Sequence, residues 1–205
     1  MNNPFQDRDL TQRLLFPILS WSSYSAFRDY DKDLWYESFV LGNKGPSNQA
    51  MEAGRIIGEK LATDPDYLPQ VPRPEIYEQE LHTNLNGIGL IGHIDGWSPK
   101  ALDLKEYKTT QNINRWTQEA VDSWGQITFY CLLVWLNYKI PPEKLTLSLT
   151  AILLKESGSF DLEPTGEVKV FKTKRTMKDL LVFGASLKAV HKEMTEFVDS
   201  YKHLR

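Results

Sequence analysis

Asp95, Glu106 and Lys108 place two carboxylates and an ammonium within segments that otherwise read as buried strands. If residues 101–109 form a strand, side chains alternate between its faces, so Glu106 and Lys108 continue the row begun by Leu102 and Leu104. Charges at the end of an apolar row lose hydration unless they pair or hold a metal. On the preceding strand Asp95 shares a face with His93, while Ile88, Leu90 and Ile94 form the opposite, core-facing row. Asp95 can then meet Glu106 across neighbouring strands. Two carboxylates suit a hard cation such as Mg²⁺, which stabilises the charged transition state of phosphodiester hydrolysis and activates water. Lys108 would orient that water or offset developing negative charge, beside the metal rather than on it. An isolated Glu-x-Lys more often marks a solvated strand end with a salt bridge. Asp103 and Lys105 offer a competing register with the same spacing, and the two leucines favour Glu106 and Lys108.

These residues need a scaffold, and the chain supplies its signals in order. Residues 14–19 are an apolar stretch, and Ser20 or Ser22 could cap a helix running through Tyr24, Phe27 and Tyr30. Trp35, Tyr36, Phe39 and Val40 form a second apolar cluster, followed by a turn-rich connection over 42–47. Residues 48–62 predict a helix with Met51, Ile57 and Leu61 on its apolar side and Glu52, Arg55 and Glu59 opposite. Residues 76–85 and 88–97 read as strands joined by Asn86-Gly87, a two-residue hairpin signal, and 101–109 continues the meander. A helix over 116–137 is stopped by Pro141-Pro142. Strands over 145–154 and 167–171 follow, then a long helix over 176–201 with Leu180, Phe183, Leu187, Val190 and Phe197 on its apolar side.

A chain of 205 residues suits one domain with a substantial core. The amino terminus carries no basic stretch or apolar run of the secretory kind, and the apolar passage 127–136 is about half a membrane span, so a cytoplasmic protein away from membranes is expected. Cys131 lies among apolar residues and reads as a small core side chain. A net charge of −3 offers no global attraction to nucleic acid, so DNA would need a local basic groove.

Several features, in family order, resemble the RecB-like nuclease domains of the PD-(D/E)XK superfamily. Gly92-His93-Ile94-Asp95 looks like the family's Gly-x-Ile-Asp strand, and Glu106-Tyr107-Lys108-Thr109 like its acid-x-Lys-Thr strand. Gln126 and Tyr130 match the Gln-x-x-x-Tyr signature; Leu19-Ser20-Trp21-Ser22, Phe27 and Trp35-Tyr36 resemble the segment preceding the nuclease core. The resemblance implies an α/β, restriction-endonuclease-like fold, a central mixed β-sheet flanked by helices. It implies a single nuclease domain over 1–205, with an N-terminal helical segment over 1–46, the core over 47–175 and a C-terminal helix over 176–205. Asp95, Glu106 and the Tyr107 carbonyl would bind Mg²⁺ or Mn²⁺, Lys108 would be catalytic, and Gln126 and Tyr130 would lie close to the active site and DNA. The implied activity is metal-dependent hydrolysis of DNA, with exonuclease-like end processing in recombination, repair or phage replication and room for a protein partner from those processes. Cluster-binding cysteines of some relatives are absent, so no iron–sulfur cluster is expected. Gly58 stands where many relatives carry a metal-binding histidine, four residues after a glycine that Gly54 matches. Water, Glu52, Glu59 or Glu80 could take its place, although helical geometry turns Glu52 and Glu59 away from that side. The rival expectation is a catalytically weak or inactive DNA-binding module that retains the fold.

Lys169, Lys172, Lys174, Arg175 and Lys178 form the densest basic run. Lys172, Lys174 and Arg175 are the candidate phosphate contacts, and a solvated, aggregation-resistant strand edge is the alternative. His93 is either a neighbour of the metal or phosphate or a hydrogen-bonded strand histidine. His82, His191 and His203 share no metal-binding spacing. Trp116 and Trp124 could stack on bases, but at helical positions they are more often core aromatics.

Overall fold

The computed structural model describes residues 18–43, 45, 48–157 and 161–202; the apolar residues 14–17 and His203 lie outside them. Ser20 caps helix α1 (Trp21–Asp29), its hydroxyl accepting from the Ser23 N–H at 3.1 Å. Helix α2 (Lys32–Trp35) and a π-helical turn (Tyr36–Val40) bury Trp35, Tyr36 and Val40. Asn48 caps α3 (Gln49–Thr63) by accepting from Met51 N at 2.9 Å. The buried face of α3 is Ala53, Ile57 and Leu61, whereas Met51, expected there, is 64% exposed. Six residues before Ile57, Met51 lies about 120° round the helix from it, while Ala53 falls one turn away on the same side.

Strands β1 (Ile76–Leu85) and β2 (Ile88–Ser98) form the expected antiparallel hairpin. Asn86 and Gly87 take φ of 52° and 92°, the left-handed pair that a two-residue turn requires. β3 (Asp103–Thr110) runs antiparallel to β2, β4 (Thr146–Glu156) parallel to β3, and β5 (Leu162–Thr173) antiparallel to β4. The described residues thus form a mixed five-stranded sheet in the order β1-β2-β3-β4-β5.

The parallel β3–β4 pair needs a crossover, and helices α4 (Gln118–Asp122) and α5 (Gly125–Tyr138) provide it. One continuous helix was expected here; Arg175 divides it by donating to the Val121 and Trp124 carbonyls at the break. β5 exceeds the predicted 167–171 because it pairs with β4 along nearly its whole length. Helix α6 (Met177–Lys202) starts with a reciprocal cap: Thr176 N donates to Asp179 Oδ2 at 2.7 Å and Asp179 N to Thr176 Oγ1 at 3.3 Å.

The main core joins Leu19, Tyr24 and Phe27 to β2, α5 and the inner side of α6, while Ala53, Ile57, Leu61, Val71, Ile152 and Leu154 form a separate cluster beneath α3. Helices therefore flank the sheet. Among the described residues no helix is long and apolar enough to cross a membrane. Cys131 is buried, and burial pushes its thiol up to about 12, consistent with an unreactive core residue.

Candidate active site

The site lies where the sheet is irregular. β2 and β3 pair only through Gly96, Trp97 and Ser98 with Lys105, Leu104 and Asp103. Beyond that point Leu19 takes up the edge of β2 that β3 leaves, donating to Gly89 O at 2.8 Å and accepting from Ile91 N at 2.9 Å. Alternation along β2 also inverts here. A Cβ on Gly92 would lie 2.4 Å from Leu133 Cδ1, and Trp97 stacks on Tyr138 at 6.4 Å, so both abut α5 although they stand an odd number of positions apart. The glycine of the Gly-x-Ile-Asp segment thus makes room for α5.

At the inversion, the Asp95 carboxylate accepts from Tyr107 N at 2.8 Å, in place of a ladder bond. Glu106 is wholly buried. Lys108 Nζ lies 2.5 Å from its Oε1 as a charge-assisted ion pair, and the Asp95 carboxylate is its other polar neighbour. Burial and the adjacent Asp95 charge push the Glu106 carboxyl up to about 8 against the pull of Lys108. Burial likewise raises Asp95, opposed by Lys108 and the Tyr107 N–H. Burial works against the Lys108 charge, yet Glu106 and Asp95 outweigh it and hold the ammonium above its ordinary value. Trp124 stands 6.0 Å from Lys108 Nζ, within cation–π range.

Gln126 and Tyr130 are buried on α5, with Gln126 Nε2 donating to Tyr130 Oη at 2.8 Å. Burial, reinforced by Glu106 and Asp95, raises the Tyr130 phenol, so it remains a proton donor beside those carboxylates. The five residues Asp95, Glu106, Lys108, Gln126 and Tyr130 are thereby brought together. Asp103 and Lys105 pair with each other, and neither lines the cavity next to Asp95.

That cavity, about 430 Å³, lies between α3 and the sheet, with Asp95, Lys108, Glu78, Gly54 and Gly58 in its wall. Close packing of α3 depends on Gly54, where a Cβ would stand 3.3 Å from Thr109 Oγ1; a Cβ on Gly58 would meet nothing within 4 Å. Glu78 was missed from the sequence. The hairpin register puts it opposite Asp95, between the pairs Tyr77 with Gly96 and Gln79 with Ile94. That register follows from the Asn86-Gly87 turn, the one signal that could have found it. Glu78 is exposed at the rim of the cavity; desolvation there and the Asp95 charge raise its carboxyl, with His93 opposing.

The other candidate acids are engaged elsewhere. Arg55 binds Glu52 at 2.7 Å and Glu59 at 3.1 Å on the exposed side of α3. Glu80 bridges His82 at 2.6 Å and His93 at 2.7 Å, so His93 is the hydrogen-bonded strand histidine. Trp116 is buried and meets Trp124 edge-on at 5.1 Å, a packing arrangement rather than a stacking platform for bases. Lys172 and Lys174 are exposed. Arg175 requires a correction: only 4% exposed, it binds Thr128, Thr173 and the carbonyls of Val121, Trp124 and Lys174, which leaves it no surface for phosphate.

The donor set fits a hard divalent cation. A buried carboxylate beside a second one, with a single ammonium to balance the pair, suits Mg²⁺ or Mn²⁺. Among the described residues no three His, Cys, Asp or Glu side chains already converge on one point, so a backbone carbonyl and water would complete the shell.

No protein-family model and no curated protein sequence matches the chain. Solved structures match by shape. A presumed exonuclease from Eubacterium rectale aligns with TM-score 0.62 and 14% identity over 98% of this chain and 87% of that one. A phage-related exonuclease from Haemophilus somnus 129PT aligns with TM-score 0.58 and 13% identity over 87% and 83%. LHK-Exo, an alkaline exonuclease from Laribacter hongkongensis, aligns in its dAMP complex with TM-score 0.54 and 13% identity over 91% and 92%. At these identities the likeness establishes a shared α/β fold.

Proposed function

We propose that this chain is a Mg²⁺- or Mn²⁺-dependent deoxyribonuclease of the RecB-like kind, which hydrolyses phosphodiester bonds and processes DNA ends as an exonuclease. The observation that carries the reading is Glu106, a fully buried carboxylate next to Asp95, with one ammonium, that of Lys108, set against the two acids. Burying such a pair costs several kcal/mol unless charge compensates it, and Lys108 brings one positive charge to two acids. Asp95, Glu106 and the Tyr107 carbonyl would hold the cation. Once bound, it supplies Lewis-acid stabilisation and a more acidic water.

Lys108, kept charged by its neighbours, orients water and offsets charge on the phosphate. Gln126 and Tyr130 place the substrate, and Lys172 and Lys174 hold the DNA backbone without reading sequence. The exonuclease folds it resembles support this reading, as does the cavity beside Asp95 and Lys108. Recombination, repair or phage replication in the cytoplasm is the setting offered by analogy. One observation favours the rival DNA-binding module: at Gly58, where the resemblance implied a histidine, the wall is open.

The test uses end-labelled linear and closed circular DNA, each single- and double-stranded, with Mg²⁺, Mn²⁺ or chelator. Chelator-sensitive shortening of linear DNA, with closed circles spared, is expected. Binding without cleavage in either metal would instead establish the binding module.

A further inference from the structure

We infer that Glu78 is a positioning residue of the cation site, entering from β1 to do what no side chain on α3 does; this rests on the nuclease reading above. Glu78 and Asp95 stand opposite each other at the irregularity of the hairpin, and both line the cavity with Lys108 and Gly58. Glu78 has a φ of 50°, left-handed backbone that a bulky residue holds only when its surroundings impose it. Those surroundings are the inverted stretch of β2 that also delivers Asp95. An independent sign of a missing cation lies beside Asp95, where the wholly buried Glu106 shares one ammonium, that of Lys108, with Asp95.

Across the cavity, Gly58 presents open space. Glu52, Glu59 and Glu80 are bound to Arg55 or to histidines outside it, which leaves Glu78 as the carboxylate in place. Since no three ligand side chains converge among the described residues, Glu78 acts through water of the ion's outer shell. Its charge opposite Asp95 strengthens cation binding and holds that water in position.

Calorimetric titration of the full chain with Mn²⁺, without DNA, tests this. Glu78→Gln should weaken Mn²⁺ binding about tenfold or more, the scale typical of losing an outer-shell partner. Glu78→Asn should weaken it equally while unfolding at a temperature no lower than the wild type, because asparagine tolerates left-handed backbone. Gly58→His, added to Glu78→Gln, should recover most of the loss by placing an imidazole in the same space. Unchanged Mn²⁺ affinity in Glu78→Gln, beside a loss in Asp95→Asn, would remove Glu78 from the site and leave the nuclease reading standing. Failure of the histidine to restore affinity would overturn the assignment of Glu78 to the space before Gly58. A wild-type chain that binds no Mn²⁺ would overturn both readings together.

Discussion

The backbone N–H of Tyr107 donates to the Asp95 carboxylate at 2.8 Å, at the point where the β2–β3 ladder ends. One bond thus substitutes for a missing rung and fixes an acidic side chain from one strand against the strand that carries Glu106 and Lys108. The separation of the strands makes space for the chemistry, and the side-chain bond limits its cost in unsatisfied backbone.

Charge removal should separate the roles of the three residues. Asp95→Asn and Glu106→Gln nearly preserve shape and should lose Mn²⁺ affinity and cleavage together. Lys108→Ala should still bind metal and DNA but cut at least about a hundredfold more slowly, as expected for loss of a positioned catalytic group. Asp103→Asn should remain active, since Asp103 pairs with Lys105 away from the cavity. A dead Asp103 variant beside an active Glu106 variant, each with an intact unfolding transition, would reverse the register.

The raised Glu106 pKa has two consequences for pH. A folded-state value of about 8 against an ordinary 4.5 means that the metal-free native state holds this proton more tightly than the unfolded chain. Stability from this group is therefore complete below about pH 4.5 and declines as pH rises to about 8, with a slope of at most about 1.4 kcal/mol per unit. Because metal displaces the proton, apparent Mn²⁺ affinity should climb about tenfold per pH unit and level off above about 8. Titrations from pH 6 to 9 measure this, and Glu106→Gln should flatten the stability profile.

Basic residues of the same run should behave differently. Lys172→Ala with Lys174→Ala should weaken DNA binding and lower its salt dependence while leaving metal affinity intact; an unchanged salt slope would move the DNA path elsewhere. Arg175→Ala should instead destabilise the fold by about 3 kcal/mol or more, because several buried acceptors lose their donor at once. Chemical denaturation separates the two effects.

Gln126→Ala deletes a buried hydrogen bond to Tyr130, which should cost about 1–2 kcal/mol of stability. Cleavage should fall about tenfold or more, because the phenol near Glu106 and Asp95 loses its anchor. A folded variant with wild-type turnover would confine Gln126 to packing.

Local and periodic signals carried much of this protein. The Asn86-Gly87 turn, the capping Ser20, the helix stop at Pro141-Pro142 and the row ending in Glu106 and Lys108 each depend on neighbours within a few residues, so they were legible in one dimension. The mixed sheet flanked by helices followed from the family resemblance. Other features depended on distant partners. Alternation along β2 inverts between Gly92 and Trp97, beside the left-handed Glu78, and only the folded hairpin with α3 packed over it brings Glu78 and Asp95 to one cavity. The expected helix over 116–137 is divided because Arg175, far along the chain, takes the carbonyls at the break. That same burial removes Arg175 from the basic surface: its neighbours in sequence are exposed lysines, but its guanidinium is held by groups that only the folded chain assembles.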